Sequence, residues 1–118
     1  MELEGDAILV RIFIGEGDRW QRRPLADALI ERLRREGFAG ATVLRGTAGF
    51  GARSILHTAN ILRLSEDLPI IIEVVDTEER VQQLRPILAE MVTEGLVTME
   101  KVHVLKYTPG DRPPRPAG

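Results

Sequence analysis

Residues 7–14 read AILVRIFI, and this run constrains the fold more than any other part of the chain. Ile8, Val10, Ile12 and Ile14 form a β-branched face at period two, and Ala7, Leu9 and Phe13, with Arg11 among them, form the other. A strand apolar on both faces belongs in the middle of a sheet, with neighbours on each side. Gly15 and Gly17 end it.

The segments that follow supply those neighbours. Pro24 opens a helix at its first position, carried by Leu25, Leu29 and Leu33 at every fourth residue and stopped at Gly37. Residues 40–46 form a second strand on Ala41, Val43 and Leu44. Residues 46–67 show no clean period and read as a long loop, a type of segment that is usually functional. Residues 68–75, LPIIIEVV, form a third strand. Asp76 with Glu79 has the spacing of a capping box. It starts a second helix on Val81, Leu84, Leu88 and Met91, in which Pro86 is expected to cause a bend. Gly95 stops that helix, and residues 97–107 form a fourth strand.

The order is strand, helix, strand, loop, strand, helix, strand. Two such units in tandem predict an α+β, ferredoxin-like βαββαβ fold: a four-stranded antiparallel sheet with both helices on one face. Residues 1–107 are expected to form a single domain, and residues 108–118, with four of the seven prolines, a disordered tail. With Ile8, Val10, Ile12, Ile14, Ile70, Ile72 and Val74 turned to the helices, Leu9, Arg11, Phe13, Ile71, Glu73 and Val75 face away. Arg11 and Glu73 are expected to pair there. In the fourth strand one face carries Val97, Met99, Lys101, His103, Leu105 and Tyr107, of which Met99 and Leu105 are expected on the open side. A face this apolar calls for cover, and a homotrimer is the simplest.

Composition excludes several function classes. The 118 residues contain no Cys, which removes disulfides, zinc fingers and Cys nucleophiles. No apolar run approaches the ~20 residues of a membrane helix. The acidic start lacks the basic residues of a secretory signal, so a cytoplasmic protein is expected. The two histidines define no metal site, no catalytic group is identifiable, and with 4% aromatic residues a nucleic-acid-binding sheet is not expected.

Charge is segregated: residues 19–63 carry nine bases against three acids, and residues 64–100 two against nine. A basic middle suggests an anionic partner; it is equally consistent with basic and acidic segments facing each other. Within it, residues 45–54 read RGTAGFGARS. Arg45, Gly46, Gly49, Phe50, Gly51 and Arg53 are the candidate ligand-binding residues, because glycines let backbone amides approach an anion and arginine matches phosphate in a bidentate manner. The segment is not a P-loop, since Ala52 stands where lysine is required. It can also be a plain flexible loop. Trp20, among Arg19, Arg22 and Arg23, either packs over the helix start or covers a phosphate site.

The run of residues 40–46 (GATVLRG), the Gly49-Phe50-Gly51 triplet, residues 64–70 (LSEDLPI) with Glu73 and Asp76, and residues 95–98 (GLVT) together resemble the PII-like family catalogued as domain of unknown function one hundred and ninety. The resemblance covers about residues 7–107. It implies a trimer of the PII signalling type, adenine nucleotides (AMP, ADP or ATP) bound in clefts between subunits, and a loop, here residues 46–67, that contacts a target protein. Where PII proteins carry a glycine- and lysine-rich phosphate loop, this chain has Glu94-Gly95-Leu96-Val97-Thr98, without lysine. The resulting expectation is a non-enzymatic regulator binding an anionic metabolite. The alternative is a structural or metal-tolerance-type trimer without a nucleotide.

Overall fold

The computed structural model describes residues 3–49 and 68–109. The expected ligand positions Phe50, Gly51 and Arg53, most of the long loop and residues 110–118 of the tail lie outside the described residues.

Strand β1, Gly5–Gly15, is the run apolar on both faces, and it is central in the sheet. A two-residue hairpin follows, β2 (Arg19–Trp20) with β3 (Arg23–Pro24). Helix α1 is Leu25–Arg35, β4 is Thr42–Arg45, β5 is Pro69–Asp76, α2 is Glu78–Met91 and β6 is Leu96–Val104. The sheet order is β4-β5-β1-β6, antiparallel at each pairing. With the short hairpin set aside, this is the expected ferredoxin-like architecture.

The core lies between sheet and helices. Val10, Ile12, Ile72 and Val74 meet Leu29, Leu33, Val81 and Leu84, and all of these are buried. Leu25, Leu29 and Leu33 recur at helical spacing, so one stripe of α1 reaches the sheet. The alternation read from the sequence holds on β1 and β5: Leu9 pairs with Val75, Arg11 with Glu73 and Phe13 with Ile71 on the open face.

Several local expectations are corrected. Pro24 is the cap of α1, with the helix beginning at Leu25. Thr77, one residue after Asp76, caps α2 by accepting the Arg80 N–H. Helix α2, with Pro86 inside it, ends at Met91, before the expected stop at Gly95. Strand β6 ends at Val104, so Leu105 and Tyr107 are outside it.

The parity of β6 is also opposite to the expectation. Met99 pairs with Val10 and Val97 with Ile12, which places both on the helix side. Leu96, Thr98, Glu100, Val102 and Val104 occupy the open face. Met99 nevertheless remains 50% exposed, because β6 is an edge strand that the helices do not cover.

Candidate functional site

The open face of the sheet has a polar centre within an apolar field. Arg11 donates from Nε to Glu73 at 2.9 Å and from Nη1 to Glu100 at 2.7 Å. These contacts, first that with Glu73 and then that with Glu100, raise the arginine's pKa above its ordinary value. The Glu73 pair follows from strand parity. The Glu100 contact does not follow from the sequence, because it requires the observed register of β6. Leu9, Phe13, Ile71 and Val75 surround the triad, and Leu44, opposite Ile71 on β4, extends the field to the edge.

One end of this face is hollowed into a cavity of about 480 Å³. Gly40, Ala41 and Thr42 form one wall, Glu73 and Val75 the floor, and Tyr107 the far side. Small residues at the entry to β4 leave the space open. Tyr107 closes it by folding back from the end of β6: its backbone N–H donates to Glu4 Oε2 at 2.9 Å, and its hydroxyl reaches the Ala39 carbonyl at 3.4 Å.

The wall is firmly held from behind. Asp76 is the one fully buried charged residue among those described. One carboxylate oxygen accepts the Ala39 N–H and the other the Thr77 N–H, both at 2.8 Å. Arg80 donates to the Glu36 carbonyl and lies 4.5 Å from the centre of the Phe38 ring. The start of α2 therefore clamps the connection from α1 to β4.

The expected ligand residues are only partly assembled. Arg45 is at the end of β4, exposed, with its guanidinium 2.6 Å from Glu16. The Gly46 N–H donates to the Pro69 carbonyl at 2.7 Å, so it belongs to the sheet and is not offered to an anion. A side chain at Gly46 would meet the Pro69 ring at 2.5 Å, which gives this glycine a packing reason. Gly49 is exposed near Pro69. The cavity residues Ala39, Gly40, Ala41, Thr42 and Tyr107 carry no motif that marks a site in the sequence. The small-residue run at 39–41 is their only signal.

Trp20 packs against the core beside α1, the first of the two roles open to it from the sequence. Gln21 and Arg22, which join β2 to β3, both have positive φ, 47° and 70°.

Known proteins similar to this chain agree with the fold. A UPF0166 protein of Methanocaldococcus jannaschii is 38% identical over 101 residues, covering 85% of this chain and 93% of the relative. A UPF0166 protein of Aquifex aeolicus is 33% identical over 99 residues, with 82% and 91% covered. Among solved structures, a PII-like signalling protein from Thermus thermophilus superposes with a TM-score of 0.59 at 23% identity, covering 89% of this chain and 94% of that one. CPII from Thiomonas intermedia, solved with ADP and bicarbonate, gives 0.55 at 19% identity, with 86% and 90% covered. Residues 7–104 match the family model described as DUF190, uncharacterized ACR, and the chain belongs to that family.

Proposed function

We propose that this protein is a non-enzymatic PII-like regulator that assembles as a trimer through its open sheet face and takes an adenine nucleotide in a cleft bordered by that face. The cavity of about 480 Å³ carries the reading. It is within the size range of small-molecule sites, which combine apolar walls with a few placed polar groups. The Gly40–Ala41 backbone admits a flat ring closely, and the Tyr107 ring can lie against it. Strand β4 leads from there to Arg45, three residues and so about 10 Å beyond Thr42, a reach suited to the phosphates. Arg45 with Arg53 supplies their charge. CPII, of similar fold, was solved with ADP and bicarbonate, which supports the ligand class.

The test is titration calorimetry with AMP, ADP and ATP, together with light scattering. At least one nucleotide should bind at micromolar concentration without turnover, to a species three times the chain's mass. Tyr107→Ala should weaken binding tenfold or more. Arg45→Ala should do the same, because a charge-assisted contact contributes about 1.5–3 kcal/mol and each 1.4 kcal/mol is a factor of ten. Glu16→Gln should strengthen binding, since it releases Arg45 from its 2.6 Å partner. Failure of all three nucleotides to bind below millimolar concentration overturns the nucleotide, and leaves the structural trimer.

A further inference from the structure

On the opposite side of the sheet, in the helix layer, the β2–β3 hairpin folds against the end of α1 and encloses a second hollow of about 130 Å³. Trp20 and Gln21 form its hairpin side, and three arginines, Arg23, Arg32 and Arg35, are among the residues that line it. Glu31 is the single acid in the lining. We propose that this hollow is a binding site for a small oxyanion of phosphate size, independent of the nucleotide cleft.

Three observations converge on it. The first is the distribution of charge. Arg23 is engaged by Glu31 through two contacts, at 3.1 and 3.3 Å. Arg32 holds Glu36 at 2.9 Å and leans on Glu90 at 3.8 Å. Arg35, the basic residue closest to the C-terminal end of α1 in this lining, has no ion-pair contact within 4 Å among the described residues, and its charge acts on Glu31 from farther off.

The second is geometry. The volume suits a tetrahedral oxyanion and excludes a nucleoside. Guanidinium groups grip such an anion in a bidentate manner, which a single lysine cannot do. Gln21, also in the lining, carries an amide.

The third is the turn. Two-residue hairpin turns with positive φ at both centres favour Asn-Gly or Asp-Gly. Here Gln21 and Arg22 occupy both positions, at φ 47° and 70°. Non-glycine residues carry a conformational cost there, and such strain collects at ligand sites. One of the two strained residues, Gln21, lines the hollow.

Glu31 acts as the internal competitor. Arg23 holds the Glu31 carboxyl below its usual range, so the pair is charged at neutral pH. An oxyanion must share Arg23 with it. Removing that charge strengthens the site, and removing Arg35 weakens it.

Trp20 is the only tryptophan in the chain and lines the hollow, so its fluorescence gives a direct readout there. The full chain is titrated with inorganic phosphate, and separately with glycerol phosphate, at constant ionic strength. Saturable change with phosphate is expected. Glycerol phosphate binding equally well identifies an ester-tolerant site, and binding of phosphate alone a closed one; either supports the proposal. Arg35→Ala should weaken affinity tenfold or more, and Glu31→Gln should tighten it severalfold, while ADP affinity stays unchanged in both. Circular dichroism verifies that both variants fold. No saturable change with either probe, or affinity indifferent to both substitutions, overturns the proposal and leaves the nucleotide reading untouched. Loss of nucleotide binding in Tyr107→Ala with phosphate binding intact is the converse result.

Discussion

Single residues carry much of this structure's specificity. The buried Asp76 accepts two backbone amides, from the connection before β4 and from the start of α2. Asp76→Ala should orphan both, at about 1–3 kcal/mol for each donor, read by urea denaturation. Gly95 has φ of 146°, and an added Cβ would lie 2.6 Å from the Phe13 carbonyl oxygen. Gly95→Ala should therefore destabilise the protein and disturb the β1–β6 pairing. The Arg23–Glu31 pair ties the hairpin to α1. Because Arg23 lowers the Glu31 pKa, the contribution of this pair is complete above the ordinary glutamate range and is lost as pH falls through the lowered value. The melting-temperature gap between wild type and Glu31→Gln should thus be present at pH 7 and close under strongly acidic conditions.

Among the elements, strands and helices differ in how far they are legible in the sequence. β1 and β5 are apolar on the buried face at every second residue, and the helices carry leucine at every fourth, so their existence and orientation can be read directly. The cap of α2 cannot. Asp76 and Thr77 are both good capping residues, and Asp76 is drawn instead into the interior by the Ala39 amide. Thr77→Ala should cost about 1 kcal/mol, measurable by thermal denaturation, with α2 fraying at its first turn. The β2–β3 hairpin is also hidden, because Gln21 and Arg22 are not the residues such turns favour. Glu16 gives no hint that it meets Arg45, since the two are close only after β1 and β4 are brought to the same end of the sheet.

For the whole molecule, the open face is the deciding feature. Leu9 with Val75 and Phe13 with Ile71 flank the Arg11 triad, and Leu96 on β6 is 57% exposed in the single chain. A stable interface needs about 800 Å² from each partner. An unpaired charge in its apolar field should prevent the proposed assembly: Ile71→Asp should yield a folded monomer by light scattering, while Glu79→Gln on the helix side should leave the proposed trimer intact. Glu73→Gln should lower melting temperature and, in the proposed trimer, trimer content, as the interface would then enclose Arg11 with one of its partners weakened. No helix among the described residues is long and apolar enough to cross a membrane.

Local periodicity was enough to determine the order of the main strands and helices, the faces of β1 and β5 and the Arg11–Glu73 contact, while the family was legible through the resemblance carried by the motifs at residues 40–46, 49–51, 64–70 and 95–98. Those properties depend on residues a few positions apart, or on strands with one clearly apolar face. Strand β6 lacks such a face. Leu96, Val102 and Val104 alternate with Val97 and Met99, so its own pattern fits either orientation equally well. A one-residue shift in register turns every side chain to the opposite face, and only pairing with β1 chooses. That choice placed Glu100 on Arg11 and Met99 toward the helices. The same holds for the cavity under Tyr107 and the arginine hollow at Trp20. Each is assembled from segments far apart in the chain, and such contacts exist only once the core between sheet and helices has set the positions of all of them.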